Sequence, residues 1–450
     1  MPCRHTWMET NMMKIRQLPN DDNSCGWYHT LPPPGPSRVL TGRVKAHRVV
    51  VGAGFTGLAC ARRLAQLCPD DQIVLVDAQP IGYGTSGRNM GFAIDLPHKG
   101  DLASDDMDRK LTIMRLNRQA IAQLEEIVTS HRIDCQWSHA GKFQGAVGER
   151  GVGFLEQFEA MLRDVGEPYT VYDRQQASEI LGTTFYERVV HTPGSVLMQP
   201  AALVRGLARS LPENVMLFEN SPVVRFGRHD GSFQLETRHG LVTAEQVLMC
   251  TDAFTPEFGY MSLRMLPIMT FASMTAPLSP EDQRAYSGTY DWGLTPADHA
   301  GTTVRMTQDK RLLIRNTYDY VPKYHVGSER LSEVRQEHRD AFIKRFPALA
   351  HVPFEYTWGG VTNLSRDFST FFGKVDEGVF GSFCHNGVGV ARGTISGKLL
   401  ADLALGASSK ELADMQKVSG MPPRNPPDPF LGIGVRSRLK IASWISRNEI

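Results

Sequence analysis

Six consecutive residues, from Gly52 to Gly57, constrain the fold of this chain more than any other feature. They read Gly-Ala-Gly-Phe-Thr-Gly and follow a short apolar run that ends at Val51. Helical periodicity runs from Thr56 to Leu67, and a second apolar run covers Ile73 to Val76. In such a strand–helix–strand unit the first glycine permits a tight turn, the second admits a pyrophosphate and the third lets helix and strand pack closely. The pattern predicts a parallel, dinucleotide-binding sheet.

An acidic residue, Asp77, closes the second of these strands, twenty residues after Gly57. A carboxylate at this place is predicted to bind a ribose hydroxyl, while the helix N-terminus attracts the phosphates. The alternative is a glycine turn that binds nothing, which the strand–turn–helix context disfavours. NAD and FAD both use this kind of unit, so the motif alone does not choose between them.

The segment from Ile81 to Gly91, here called the Gly-rich loop, favours the longer cofactor. It carries four glycines in eleven residues, together with Ser86, Arg88 and Asn89. Such a loop exposes backbone N–H groups that can wrap the far phosphate and the ring end of FAD. The alternative is a flexible surface loop.

Length and composition limit the other classes of function. A chain of 450 residues exceeds one ordinary core, so two or more domains are expected. The net charge of +1 provides no field for nucleic acid or an anionic membrane. Seven scattered cysteines without a C-x-x-C pair predict no metal site and a reducing, cytoplasmic location. The apolar stretch from Phe258 to Leu278 contains Arg264 and two prolines, so a buried strand is expected there and no membrane span.

Several further elements are predicted from periodicity. Residues 1–46 read as an irregular N-terminal arm, because acidic and proline clusters interrupt it. Trp27 and Tyr28 are expected to pin that arm to the surface; the alternative is a lid over a pocket. Strands are expected at 246–250, in the sheet of the motif, and at 312–314, in another sheet. Helices are expected at 106–131, 154–165, 331–346 and 393–405.

Taken together, the motifs resemble the glycine oxidase/D-amino acid oxidase superfamily of flavoproteins, and within it the gamma-glutamylputrescine oxidoreductase branch. That branch has a strand, G-x-G-Y/F-T-G-L, an acidic strand end and I-G-x-G-x-S-G-R-N-x-G, as here at 51–58, Asp77 and 81–91. The resemblance extends over roughly residues 46 to 440. Its later matches are Gln199-Pro200 with 203–208, Ser221–Val223, Cys250–Phe254, Trp358–Gly360 and Gly387–Val390.

This resemblance implies an α/β fold in which a Rossmann-like FAD-binding domain, discontinuous in sequence, is interleaved with an α+β substrate domain. The substrate domain is expected to contain a mostly antiparallel sheet. The predicted FAD-binding domain comprises 47–110, 195–255 and 355–410, and the predicted substrate domain comprises 111–194 and 256–354. Residues 411–450 form a C-terminal tail, of which 431–444 is apolar enough to dock on the body or on a partner.

The cofactor implied is noncovalent FAD, since the positions at which covalent relatives attach flavin lack histidine and cysteine. The residues predicted to bind it are Gly52, Gly54, Phe55, Thr56, Gly57, Asp77, Ala78, Thr85, Ser86, Gly87, Arg88, Asn89, Met90, Gly91, Val223, Cys250, Thr251, Trp358, Gly387, Val388, Gly389 and Val390.

One departure concerns the closing turn, where the branch has a G-Y-S-G-H-G-like sequence. Here the stretch from Cys384 to Gly389 has Val388 in place of the interior histidine, and His385 lies close to the expected position of the ring. His385 is a candidate for orienting substrate or holding a proton; the alternative is a structural histidine. Arg315 is a candidate carboxylate clamp, and Tyr318 a candidate pocket wall. The alternatives are a surface ion pair and an ordinary strand residue.

The predicted activity is oxidation of the C–N bond of a small amine or amino acid, by hydride transfer to flavin N5 and hydrolysis of the imine. Oxygen or another carrier would accept the electrons. A larger substrate such as modified RNA is disfavoured by the neutral charge. A non-catalytic FAD-binding relative, acting as a partner or sensor, remains the alternative because of Val388.

Overall fold

The structure is a computed structural model that describes residues 12–98, 100–101 and 106–450. Residues 1–11 of the predicted arm, with residues 99 and 102–105, lie outside the described residues. The strands are β1 Met13–Lys14, β2 Gly42–Val51, β3 Ile73–Val76, β4 Phe92–Ala93, β5 Lys142–Ala146, β6 Thr170–Asp173, β7 Arg188–Thr192, β8 Val196–Leu197, β9 Val215–Phe218, β10 Arg225–His229, β11 Ser232–Glu236, β12 Gly240–Met249, β13 Leu266–Thr275, β14 Trp292–Pro296, β15 Thr303–Met306, β16 Leu312–Arg315, β17 Tyr318–Tyr320, β18 Phe354–Leu364, β19 Phe371–Asp376 and β20 Val379–Phe383. The α-helices are α1 Gly26–His29, α2 Phe55–Leu67, α3 Thr85–Arg88, α4 Met107–Ser130, α5 Gly148–Asp164, α6 Arg174–Leu181, α7 Pro200–Arg209, α8 Pro280–Ala285, α9 Ser328–Arg345, α10 Gly389–Ala404, α11 Lys410–Val418 and α12 Phe430–Ile445.

The first sheet contains the glycine motif. Its parallel part runs β9–β3–β2–β12–β20, and β12 pairs with β2 along its whole length. Apolar residues buried on both faces, such as Val50 and Leu75, explain this central position, since parallel strands are usually covered on both sides. The β10–β11 hairpin extends β12 on the antiparallel side, and helices α2 and α10 pack together on one face.

The second sheet has the strand order β17–β13–β16–β15–β14–β5–β7–β6, with β18 paired to β13. All pairs in it are antiparallel except β14 with β5 among the described residues. The predicted strand at 312–314 lies in this sheet as β16, and the predicted strand at 246–250 is the end of β12 in the first sheet. The predicted fold class, a discontinuous nucleotide-binding sheet with an interleaved antiparallel one, is confirmed.

Two segments pack differently from the predicted domain division, whose exact boundaries remain a prediction. Helix α4 was assigned to the substrate domain from residue 111 onward, yet its buried face packs on α10, α11 and α7. Strand β18 was assigned to the FAD-binding domain from residue 355 onward, yet it pairs with β13 in the second sheet. Periodicity identifies the buried face of an element, whereas the partner of that face depends on long-range packing.

The arm is more integrated than its irregular sequence indicates. It contributes β1, which pairs with β10, and the single turn α1. Trp27 and Tyr28 pin the arm as predicted, and more deeply than at the surface, since they are 2% and 5% exposed. They pack with Trp358 and Met274, so the arm is anchored in a core cluster between the Gly-rich loop and the second sheet.

The C-terminal tail is also more ordered than predicted. Helix α12 docks on β17 through Leu431, Val435 and Leu439, as its apolar composition indicated. Its opposite face leaves Phe430 and Trp444 exposed. None of the helices described here combines the length and the apolar character needed to cross a membrane.

Candidate cofactor and substrate site

A cavity of about 420 Å³ lies where the carboxyl ends of the parallel strands face the second sheet. The glycine turn, the Gly-rich loop and the closing turn line one part of it, and β13, β15 and β16 line another. Crevices outside the carboxyl ends of parallel strands are the usual ligand sites of such sheets. This cavity therefore joins a nucleotide-binding region to a second compartment.

The glycine turn is built as its sequence predicts. Gly52 has a φ of +96°, and a Cβ atom on it would lie 2.6 Å from the carbonyl oxygen of Cys250. A Cβ atom on Gly54 would lie 2.5 Å from Ser86 Oγ, and this hydroxyl also accepts a hydrogen bond from the Phe55 N–H. A side chain at Gly54 would thus strike the Gly-rich loop first, whereas the motif indicated a collision with pyrophosphate. Both effects require glycine.

Asp77 stands beside the same turn. Its Oδ2 accepts a hydrogen bond of 2.7 Å from the Ala53 N–H, and its Oδ1 accepts one of 2.9 Å from the Gln79 N–H. Burial raises the pKa of Asp77 to about 6, against the opposing effect of these two N–H donors. The carboxylate also lines the cavity. It can therefore brace the turn and offer its remaining lone pairs to a ribose hydroxyl.

Three helices begin at the cavity without a side-chain cap, and two of them, α2 and α10, are longer than a single turn. Gly54 precedes α2 and Val388 precedes α10, and the first residues of both helices line the cavity. The first N–H groups of a helix have no intrahelical partner and carry partial positive charge. The cavity thus has two regions suited to anionic or electron-rich parts of a ligand.

Arg88 links the Gly-rich loop to its surroundings. Its Nε donates to the Gly359 carbonyl at 2.7 Å, and its guanidinium forms ion pairs with Asp21 and Asp22 of the arm. Trp358 is fully buried and donates through Nε1 to the Arg88 carbonyl oxygen at 3.0 Å. Trp358 therefore supports the Gly-rich loop from behind. It does not line the cavity, although it was predicted to contact the cofactor.

The closing turn brings His385 to the cavity wall. Its Nε2 lies 3.1 Å from Thr56 Oγ1, and its buried Nδ1 has no hydrogen-bond partner among the described residues. Burial, reinforced by Arg392, lowers the pKa of His385 to about 3, so the imidazole is neutral near pH 7. Val388 does not line the cavity, so its replacement of the branch histidine leaves the cavity wall itself unaltered.

Among the described residues, the second compartment is lined by apolar side chains, by threonines and by the guanidinium of Arg315. Met269 and Phe271 of β13 contribute apolar walls, and Arg315 lines the cavity at the end of β16. Arg315 Nη2 donates to Thr303 Oγ1 at 3.3 Å, and no carboxylate of the described residues forms an ion pair with it. Tyr318 does not line the cavity. Its ring lies 5.5 Å from the Arg315 guanidinium carbon and packs towards α12, because the strand turns this side chain outward.

Most of the predicted residues line the cavity, and their roles in binding remain predictions. Those that line it are Gly52, Gly54, Phe55, Thr56, Asp77, Ala78, Thr85, Ser86, Arg88, Asn89, Met90, Val223, Cys250, Thr251, Arg315, His385, Gly387, Gly389 and Val390. Those that lie behind the wall are Gly57, Gly87, Gly91, Tyr318, Trp358 and Val388. Sequence reasoning missed the arm residues from Ile15 to Asn20, Phe271 and the loop from Tyr324 to Val326. For Phe271 the sequence did contain a signal, since the apolar stretch from Phe258 to Leu278 predicted a buried strand. That stretch did not show which side chains of the strand face the cavity.

The fold and the cavity define a dinucleotide-binding protein with a second compartment for a small molecule. Residues 48–403 match the model of the DAO family, described as FAD dependent oxidoreductase. The chain belongs to this family of FAD-dependent oxidoreductases. The predicted family, the assignment as an enzyme and the FAD cofactor are thereby confirmed.

Two relatives are similar in sequence along most of their length. A probable oxidoreductase OrdL from Haemophilus influenzae is 26% identical over 374 residues, which cover 79% of this chain and 82% of the relative. Gamma-glutamylputrescine oxidoreductase from Escherichia coli is 25% identical over 373 residues, which cover 80% and 84%.

Solved structures share the fold at lower identity. Glycine oxidase from Geobacillus kaustophilus has a TM-score of 0.68 at 19% identity, over 81% of this chain and 96% of that chain. L-Amino acid deaminase from Proteus vulgaris has a TM-score of 0.65 at 16% identity, over 86% and 98%.

The residues of the cavity fit FAD. The glycines admit backbone close to a pyrophosphate, Asp77 provides a ribose acceptor, and His385, whose buried Nδ1 has no partner among the described residues, lies in the cavity wall. The turn and the uncapped ends of α2 and α10 would hold the phosphates and the electron-rich ring edge.

Replacing Asp77 tests the ribose contact. At pH 8 we expect Asp77→Ala to weaken FAD binding by about 1–3 kcal/mol, since hydrogen bonds to a buried charged acceptor are lost. The ionised carboxylate is the stronger acceptor, so the wild-type protein should bind FAD less tightly as pH falls through about 6. The difference between the two proteins should therefore shrink at low pH. Titration of the apoprotein with FAD, followed by flavin fluorescence, measures both effects.

Asp70→Ala is the matched control, because this exposed carboxylate precedes the same strand and does not line the cavity. Equal FAD affinity in Asp77→Ala and Asp70→Ala at pH 8 would contradict the assigned role.

Proposed function

We propose that this protein oxidises the C–N bond of a small, carboxylate-bearing amine, such as an amino acid, with noncovalent FAD as its cofactor. The observation that carries this proposal is Arg315, a guanidinium that lines the FAD cavity and forms no ion pair with any carboxylate of the described residues. A half-buried cation of this kind is costly to leave unpaired, and a carboxylate would pair with its two-pronged edge. The relatives named glycine oxidase and L-amino acid deaminase support the same substrate class.

The apolar walls support the choice of a small amine. Met269 and Phe271 line the compartment and are 5% and 0% exposed, so its wall is closely packed there. Binding against this wall would remove water from the reacting carbon and favour the neutral amine over the ammonium, because burial penalises the charged form. A neutral amine is required, since its lone pair must assist the departing hydride.

The remaining steps follow from the chemistry of the substrate. When bound, FAD would accept at its N5 atom the hydride that leaves the substrate carbon. The substrate amine becomes an imine, and water then adds to the imine carbon and releases ammonia or an amine, with a keto acid or an aldehyde as the other product. His385 is neutral, so its Nδ1 would contribute a hydrogen bond to the cavity rather than a charge.

Anaerobic absorption spectroscopy tests the proposal. The purified protein is mixed with a panel of amino acids and with matched amines that lack the carboxylate. Loss of the flavin bands with a carboxylate-bearing member would support it. If only carboxylate-free amines bleach the flavin bands, Arg315 does not bind a substrate carboxylate. If no member of the panel bleaches them, the substrate belongs to a class outside the panel.

The neutral state of His385 makes a separate prediction about pH. We expect the rate constant for anaerobic flavin reduction to rise with pH at an inflection that belongs to the substrate amine, because the pKa of His385 lies near 3. His385→Asn should leave that inflection in place. Stopped-flow reduction across pH 6–10 measures it.

The surface residue His139, whose side chain is 59% exposed, provides the control variant His139→Asn. An inflection that disappears in His385→Asn alone would identify His385 as the titrating group and contradict the prediction.

The cellular setting completes the proposal. We place the protein in the cytoplasm, with oxygen or another carrier as electron acceptor and no nucleic acid partner. The six cysteines among the described residues are all free, which accords with a reducing compartment.

A further inference from the structure

The N-terminal segment from Met13 to Asp22, here called the strap, runs along the FAD cavity. Ile15, Gln17, Leu18, Pro19, Asn20 and Asp22 all line it. The strap precedes residue 48, so it lies outside the part of the chain that matches the family model. None of the motifs that predict FAD binding includes it.

The strap spans the cavity between two ends of the nucleotide site. At one end, Ile15 packs in the cluster that contains Val51, Val76 and Val223, close to the glycine turn and the predicted adenosine region. At the other end, Asp22 meets Arg88 of the Gly-rich loop, which is predicted to face the remainder of the cofactor. The strap therefore follows the length of the predicted cofactor region.

The strap begins with the pairing of β1 to β10 and an Ile15 N–H bond of 2.9 Å to the Val224 carbonyl oxygen, and two sets of side-chain contacts hold it further along. Near its start, the N–H groups of Arg16 and Gln17 both donate to Glu257 Oε2, at 3.2 and 3.1 Å. Near its end, the Arg88 guanidinium bridges Asp21 and Asp22 at 2.5 and 2.7 Å. Arg88 is only 9% exposed in its side chain, so this pair of contacts is better shielded from water than an ordinary surface ion pair.

The segment that follows the strap is anchored much more firmly. Trp27 Nε1 donates to the Asn89 carbonyl oxygen at 2.8 Å, and Tyr28 Oη donates to the Tyr83 carbonyl oxygen at 2.5 Å. Asn23, between strap and anchor, has a positive φ of 54°. Arg16, Asn20 and Asp22 of the strap are exposed, whereas the anchor is buried. The region with fewer buried contacts is the one expected to open locally.

We propose that the strap forms the outer wall of the FAD-binding site and that FAD enters and leaves when the strap opens about residues 23 and 24. The Glu257 contact and the Arg88 contact are the two side-chain latches that keep it closed, in addition to the pairing of β1 with β10. Because FAD is in contact with the closed strap, bound FAD stabilises the closed form and the closed form slows the release of FAD. This proposal rests on the proposed FAD site but not on the identity of the substrate.

Release kinetics of FAD test the two latches separately. We expect the Asp21→Asn, Asp22→Asn double variant to release FAD about tenfold faster than the wild-type protein, which corresponds to about 1.4 kcal/mol. Glu257→Ala should also accelerate release, although it leaves Arg88 and both aspartates intact and does not line the cavity. The rate is followed by the recovery of free-flavin fluorescence after dilution of the holoprotein.

Asp230→Asn is the matched control. This aspartate lies in the β10–β11 turn and is 89% exposed in its side chain, so the variant should release FAD at the wild-type rate. Wild-type release rates in both latch variants would overturn the proposal. Faster release in the Asp230→Asn control as well would overturn it too, because the effect would then be one of net charge.

Limited proteolysis of the wild-type protein provides a test that needs no variant. Trypsin cleaves after Lys14 and Arg16, which are exposed residues of the strap. We expect added FAD to slow this cleavage about tenfold, because proteolysis samples the open form. Equal cleavage with and without FAD would overturn the proposal. Neither measurement uses an amine, so a protein that binds FAD through the strap yet oxidises no amine would refute only the proposed function.

Discussion

Gly54→Val is expected to abolish stable FAD binding. A Cβ atom at this position would lie 2.5 Å from Ser86 Oγ, and the extra methyl groups of valine would extend into the predicted pyrophosphate region. Overpacking of a close-packed site costs about 1–3 kcal/mol. The loss of N–H contacts to the phosphates adds to it, so we expect the dissociation constant for FAD to rise about a hundredfold or more. The flavin content of the purified variant and its titration with FAD measure the effect.

Gly153→Val is the control for this substitution. Gly153 lies in α5, and a Cβ atom on it would meet no heavy atom within 4 Å. That variant should purify with the same flavin content as the wild-type protein. A folded, fully flavinated Gly54→Val protein would contradict the assignment of the phosphate-binding turn.

Arg315→Ala is expected to cause a large loss of activity without loss of FAD. Removing one partner of a buried charge pair costs about 2–5 kcal/mol. We therefore expect kcat/KM for the preferred carboxylate-bearing amine to fall by about two to three orders of magnitude, while FAD remains bound. The corresponding amine without a carboxylate should be oxidised equally well by both proteins. Arg315→Lys should recover part of the activity, since it restores charge but not the planar fork.

Arg284→Ala controls for the loss of a positive charge. Arg284 is exposed on α8 and does not line the cavity, so its removal should leave kcat/KM unchanged. An equal loss for substrates with and without the carboxylate would assign Arg315 a structural role, and an unchanged kcat/KM in Arg315→Ala would remove it from the site.

The nucleotide-binding half of the fold could be predicted because its signals are local. The spacing of Gly52, Gly54 and Gly57 between an apolar run and a helical period specifies a turn with few alternatives. The predicted helix at 56–67 is α2, and the predicted strand at 73–76 is β3. Helix α4 was predicted as a helix, and its packing on α10, α11 and α7 could not be predicted, because periodicity shows that a helix has an apolar face but not which element covers that face.

The site was predictable to the same degree. Most residues of the glycine turn and the Gly-rich loop line the cavity, because consecutive backbone positions carry the contacts, although Gly57, Gly87 and Gly91 do not. Tyr318, in contrast, was chosen for its position next to Arg315, and its ring turns away from the cavity. Successive side chains of a strand point to opposite faces of the sheet. The sequence of a short strand does not show which of the two faces points towards the cavity.

The sequence alone predicts a dinucleotide-binding turn and an unusual closing turn at 384–389. It also favours FAD, the longer of the two cofactors that such a turn can bind. These properties depend on backbone conformations that neighbouring residues impose. Only the tertiary structure decided that the arm becomes a wall of the cavity, that Arg315 faces it without a carboxylate partner and that His385 meets Thr56 across 329 residues of chain. The physical reason is that contacts between segments distant in the chain leave no periodicity or spacing in either segment.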